Sequence, residues 1–221
     1  EQLLIKKYSK LICKKKRLDA VKEAKVKNFK YAIFDDGLQD NSIDYDIKIV
    51  CFNNIQWIGN GFLIPAGPLR EKLDSIKKYD AIVINGDPRL NGDLVNEINK
   101  IKTDLQIFET KYEISNLEEF DKKINYVIFS GIGNPKNFLK TLKENNLNIS
   151  KEFIFPDHHN YTDNDLGNII NYSKTNNLKI ITTEKDYLKI NEKFQKEMLY
   201  LKLKLKILNE KKFLEFLTHK K

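Results

Sequence analysis

Apolar positions along this chain fall into short unbroken runs, separated by stretches in which apolar residues recur every three or four positions. Residues 31–34, 47–52, 81–84, 126–129, 153–155 and 180–183 are β-branched or aromatic runs, mostly bounded by polar or glycine-containing segments, and they predict strands. Helical spacing covers 18–26, then 137–145 after a Gly131-Ile-Gly133 turn, and 162–176, which opens on Thr162-Asp-Asn-Asp165 in the manner of a capping box. Runs that are apolar throughout and joined by helical crossovers belong to parallel sheets covered on both faces, so the fold class is α/β. The pattern changes at 104–114, which alternates like an exposed or antiparallel strand, and 115–119 reads as a joint. A domain boundary is expected there. Residues 209–217 form an amphipathic helix that packs back on one of the two halves.

Composition narrows the class. With 221 residues, 41% hydrophobic and 32% charged, the chain suits a globular protein and excludes disordered, collagenous and disulfide-scaffold types. Its longest apolar runs fall far short of the roughly 20 residues of a membrane span. The first fifteen residues are Lys-rich without an apolar core, so no signal peptide is expected, and the start at Glu1 suggests a fragment or a trimmed product. The net charge of +8 invites an anionic partner, but only three of the 39 basic residues are arginine (Arg17, Arg70, Arg89). A coding bias toward Lys explains this better than a nucleic-acid face, since no aromatic-studded basic stripe accompanies the charge. Under such a bias, a surviving Arg marks a place where a planar two-pronged grip is needed. Cys13 and Cys51 have neither metal nor CxxC spacing and read as free thiols in a reducing compartment.

Five constellations carry candidate chemistry. Phe34-Asp35-Asp36-Gly37-Leu38-Gln39 reads either as a strand ending in paired carboxylates, suited to Mg²⁺ and nucleotide phosphates, or as a plain Asp-Gly bend. Gly59-Asn-Gly61 followed by Pro65-Ala-Gly-Pro-Leu-Arg70-Glu71 is a loop of fixed backbone that brings Arg70 and Glu71 to a phosphate or metal, or a rigid surface loop with an ion pair. Phe155-Pro-Asp157-His158-His159 sets imidazoles beside a carboxylate, for acid–base work or as an ordinary surface turn. Ser130-Gly-Ile-Gly-Asn-Pro135 is an incomplete phosphate-loop pattern that helix capping also explains. Thr182-Thr-Glu-Lys-Asp186 ends a strand and reads first as an exposed ion-pair cluster. The Walker A pattern Gly-x-x-x-x-Gly-Lys-[Ser/Thr] does not occur in the 221 residues.

In their order, these segments resemble the tetraacyldisaccharide 4′-kinase family, which phosphorylates a lipid A precursor. The resemblance runs through Arg17-Leu-Asp-Ala-Val21, Asp35–Gln39, Gly59–Gly61, Pro65–Glu71, Ala81–Gly86, Gly131–Pro135, Phe155–His159 and Thr182–Asp186. It implies a P-loop-kinase-like parallel core over 1–103, linker strands over 104–118, a smaller α/β domain over 119–206, and a helix over 207–221 packing back. It further implies transfer of the ATP γ-phosphate, with Mg²⁺, to the 4′-hydroxyl of tetraacyldisaccharide 1-phosphate, at the cytoplasmic face of a bacterial inner membrane and without nucleic acid. By motif match Asp35 and Asp36 are the Walker-B-like acids, with Asp35, Asp36 and Glu71 around the metal. Arg17 and Gln39 lie beside nucleotide or substrate, Arg70 and Glu71 line the transfer cleft, and His158 orients a catalytic Asp.

Two departures stand out. Asp40 occupies a position where the family usually has His, and Glu1 matches the end of the family's Gly-Asp-Glu segment, so the catalytic Asp and the Walker A loop would lie upstream. The 221 residues therefore read as the C-terminal two-thirds of a kinase, inactive on their own. A metal-dependent phosphoesterase built on Asp35, Asp36, Asp157 and His158, and a catalytically silent binding fragment, are the alternatives.

Overall fold

The computed structural model describes residues 2–219. In chain order the elements are α1 (Gln2–Tyr8), α2 (Arg17–Val26), β1 (Ile49–Asn53), β2 (Ala81–Asn85), α3 (Gly92–Ile101), β3 (Gln106–Ile114), β4 (Asn125–Ser130), α4 (Pro135–Glu144), β5 (Asn148–Ile154), α5 (Asp163–Thr175), β6 (Lys179–Thr183), α6 (Glu184–Tyr187), α7 (Glu192–Gln195), β7 (Met198–Leu201), β8 (Leu203–Ile207) and α8 (Glu210–His219). They form two four-stranded sheets, ordered β1-β2-β3-β8 and β5-β4-β6-β7. The chain divides into two compact units. The first takes the chain through Leu11 and Ile114–Lys204, and the second takes Ile12–Glu113 and the chain from Leu205 onward.

In the first unit every strand pair is parallel, and the sheet is buried on both faces. On β4, Tyr126 and Ile128 join Phe138 and Leu142 of α4 in one cluster, while Val127 and Phe129 join Leu166, Ile169 and Ile170 of α5 in the other. Period-two alternation sends successive apolar side chains into opposite cores, which is why the run is apolar throughout. The capping box forms as the sequence reading expects. The Thr162 hydroxyl accepts the Asp165 N–H at 3.1 Å, and the Asp165 carboxylate accepts the Thr162 N–H at 2.9 Å.

In the second unit β1, β2 and β3 are parallel. One face buries Ile82 and Ile84 with Ile76, Tyr79, Ile98 and Leu105. On the opposite face of β3, Phe108 meets Phe213 and Phe216 of α8 at ring-centroid distances of 4.9 and 5.4 Å.

Two expectations need correction. Residues 31–34 are not a strand: they are irregular, Ile33 is 98% exposed and Tyr31 66%. A strand needs a hydrogen-bonded neighbour and a covering layer, and here neither is present, so the apolar composition alone does not suffice. Strand β3 runs parallel to β2, not antiparallel, because its pairing is set by the crossover through α3. That helix is absent from the sequence reading, although Leu94, Val95, Ile98 and Ile101 follow helical spacing.

Candidate active site

In the second unit the chemistry gathers on the turn after residue 34. Gly37 is the only buried residue between positions 12 and 48. Its carbonyl accepts the Tyr45 hydroxyl at 2.8 Å, and Tyr45 meets Phe34 edge-on at 5.4 Å, so the turn is tied down at one point. Asp36 has φ +51°, in the left-handed region that non-glycine residues seldom occupy. Its carboxylate is ion-paired with the Arg70 guanidinium, and Arg70 Nη1 also reaches Gln39 Oε1 at 3.4 Å. From α2, Arg17 Nη2 donates to the Asp36 carbonyl at 2.8 Å and Nη1 to Asp40 Oδ2 at 3.4 Å. The hydrogen bond from Arg70 holds the Asp36 carboxyl below its ordinary range. Asp40 is lowered as well, first by the Ser42 hydroxyl and N–H and then by Arg17. Asp40 thus serves as an anchor for Arg17.

The loop that delivers Arg70 is stiff. Ile64 N–H donates to Leu69 O at 2.8 Å, Leu69 N–H to Phe62 O at 3.2 Å, and the Asn60 amide to Ala66 O at 2.9 Å. A Cβ on Gly67 would stand 2.4 Å from Phe62 O and 2.2 Å from Asn60 Oδ1, so only glycine lets the loop close this tightly. Glu71 faces away from its neighbour's partners: burial and the Glu71 carboxylate together push the Tyr79 phenol up. Asp35, Asp36 and Gln39 are all exposed. Arg89, the third arginine, closes on Asp87 two residues earlier at 2.9 and 3.0 Å. Among the described residues no three His, Cys, Asp or Glu side chains converge on one point.

In the first unit the loops after β4, β5 and β6 meet at the carboxyl ends of the parallel strands, where ligands bind in such sheets. Asp186, 0% exposed, ties the loop after β4 to the segment after β6: its carboxylate accepts Gly131 N–H at 2.9 Å, the Thr183 hydroxyl at 2.8 Å and Lys189 Nζ at 3.2 Å. Burial and this carboxylate push the Tyr161 phenol well above its ordinary value. His159 is a structural group, stacked on Phe155 at 4.7 Å and bonded to Asp165 Oδ2 at 3.1 Å. His158 is different. Its side chain is 63% exposed and its φ is +61°. Its N–H donates to Asp157 Oδ1 at 2.9 Å and to Gly131 O at 3.2 Å, which holds the unusual backbone in place.

In the sequence Lys185 and Asp186 read first as an exposed ion-pair cluster, with an anion contact for Lys185 as the alternative. A carboxylate buried among loops distant in sequence leaves no local signal, although the strand-end Thr-x-x-Asp spacing announces its cap.

These features define an α/β protein with parallel sheets and two charged loop clusters: Asp157 with His158 at the carboxyl ends of the strands in the first unit, and Asp36 with Arg17 and Arg70 on an irregular turn in the second. A profile of the tetraacyldisaccharide-1-P 4′-kinase family matches residues 1–221, and the chain belongs to that family. It is 44% identical over 211 residues to the tetraacyldisaccharide 4′-kinase of Pelagibacter ubique, which covers 96% of this chain and 67% of that one. It is 42% identical to the corresponding protein of Rickettsia bellii, over 72% of this chain and 48% of that one. The chain thus spans from about half to two thirds of the length of these relatives. The crystal structure of LpxK from Aquifex aeolicus in complex with ATP aligns with a TM-score of 0.59 and 23% identity, covering 84% of this chain and 56% of that one, and so shares its fold.

Proposed function

We propose that the protein carrying this chain transfers the γ-phosphoryl group of ATP to the 4′-hydroxyl of a tetraacyldisaccharide 1-phosphate, in lipid A biosynthesis. The observation that carries this reading is the convergence of two of the three arginines on one acidic turn, in a chain matched by the kinase family over its whole length. Phosphoryl transfer asks the protein mainly to position groups and to offset charge. Asp35 and Asp36 are hard, exposed oxygen donors, and one or two carboxylates plus substrate phosphates make up the usual Mg²⁺ site, so these residues fit the ion. When bound, Mg²⁺ neutralises charge on the transferring group.

The remaining roles fall to the chain's own side chains. Arg70 swings from Asp36 to grip a phosphate oxygen. Arg17 holds the turn by its carbonyl and Gln39 lies beside the nucleotide, while Glu71 is set apart beside Tyr79. His158 offers an exposed imidazole to orient the catalytic aspartate that the family resemblance implies, which is none of the aspartates described above. Association with the cytoplasmic face of an inner membrane is part of the same proposal, as a peripheral contact. No helix among the described residues is long and apolar enough to cross a membrane. No nucleic acid takes part.

The test supplies γ-³²P-labelled ATP and tetraacyldisaccharide 1-phosphate to the complete gene product. Mg²⁺-dependent label at the 4′ position is expected. ATP consumption with no labelled lipid would contradict the proposal.

A further inference from the structure

Lys185 stands at the start of α6, directly before the buried Asp186 that bonds the loop after β4 and caps α6 through Thr183, so its backbone is well anchored. Its side chain is 22% exposed, and Nζ lies 3.6 Å from Asp157 Oδ1, the same oxygen that accepts the His158 N–H. The other carboxylate oxygen, Oδ2, lies 3.8 Å from His158 Nε2. One carboxylate is therefore shared by an ammonium, a backbone N–H and an imidazole. The partner that reaches it from a different loop is Lys185. His158 needs such support, because a non-glycine residue at φ +61° relaxes unless its surroundings hold it.

We infer that Lys185 is a positioning residue for His158, acting through the Asp157 carboxylate. This rests on the reading of His158 as a group that acts in the phosphoryl transfer. The ammonium fixes Asp157 in the rotamer that bonds the His158 N–H, and that bond holds the backbone turn which presents the imidazole. Burial disfavours the ionised form of Asp157, yet Lys185 and the His158 N–H outweigh it and hold the carboxyl below its ordinary value. The other charged groups of these loops are engaged elsewhere. His159 is bonded to Asp165, Asp186 to Lys189, and Glu184 to Lys7 and Tyr8.

The coupling is read from the amide signal of His158 in the 221-residue chain, titrated between about pH 2 and 6. That N–H bonds Asp157, so its shift follows the ionisation of the carboxylate. In the parent chain the midpoint falls below the ordinary aspartate value of 3.8. Lys185→Met raises it toward that value, whereas Lys185→Arg leaves it in place. An unchanged or lowered midpoint in Lys185→Met overturns the inference. In the complete gene product, Lys185→Met lowers kcat while KM for ATP stays constant, and Lys185→Arg restores the rate. Unaltered kcat in Lys185→Met also overturns it. Full activity of His158→Ala would instead sink the reading of His158 itself, a result distinct from either of these.

Discussion

The two units support their exposed functional side chains by opposite means. In the first, the strand-tip loops rest on a sheet covered on both faces, and a fully buried carboxylate, Asp186, joins two of them. In the second, residues 12–48 contribute a single buried residue, with Ile33 98% and Val26 82% exposed, and the acidic turn is held by solvent-accessible arginines. Packing and a buried carboxylate fix the loops beneath His158, while charge and a stiff glycine loop position Asp36 and Arg70. Stability and function should therefore separate differently in the two units.

The largest effect is expected from breaking the better-packed unit. Phe129 is 0% exposed and lies in one of the clusters that flank β4. Phe129→Ala should cost about 3–5 kcal/mol in urea unfolding, whereas Ile33→Ala in the second unit should stay within about 0.5 kcal/mol. Equal losses would erase the contrast. A smaller effect tests local structure. Thr162→Ala removes one side of the capping box of α5 and should cost about 1 kcal/mol, read as earlier unfolding of the first unit.

The smallest effect concerns acid. The Asp36 carboxyl is lowered in the folded state by Arg70. Its stabilising contribution is thus complete above the unfolded value and is lost as pH falls through the folded one. Because the pair is exposed, with side chains 54% and 61% accessible, solvent screens it and the loss is slight. A carbon-detected titration should place Asp36 below the ordinary 3.8 in the parent chain and higher in Arg70→Ala. Identical midpoints would show that the pair does not persist in solution.

Much of the fold was legible because doubly buried strands leave unbroken apolar runs, as β2, β4 and β6 do. The α5 capping box was legible because both partners lie within four residues. Where partners are distant the signal fails. The run at 31–34 has strand composition, but pairing and cover decide, and neither is present. Strand β3 alternates like an exposed strand, yet it lies parallel to β2 because the α3 crossover dictates its direction. For the candidate site, the rarity of arginine singled out Arg17 and Arg70 in advance. Their meeting at Asp36 depends on a glycine-closed loop 34 residues further along the chain. Lys185 and Asp186 were hidden for the same reason, since their partners come from other loops.

The central claim is that the Asp36 turn with Arg70 is the phosphate-handling site, held by charge rather than by core packing. It is tested by measuring lipid phosphorylation and thermal unfolding together on Arg70→Ala of the complete gene product. The expected result is a rate lower by a factor on the order of 10²–10³, with Tm moved by no more than about 4 °C. Phosphorylation within a few-fold of the parent rate, in a protein that still folds, would contradict it.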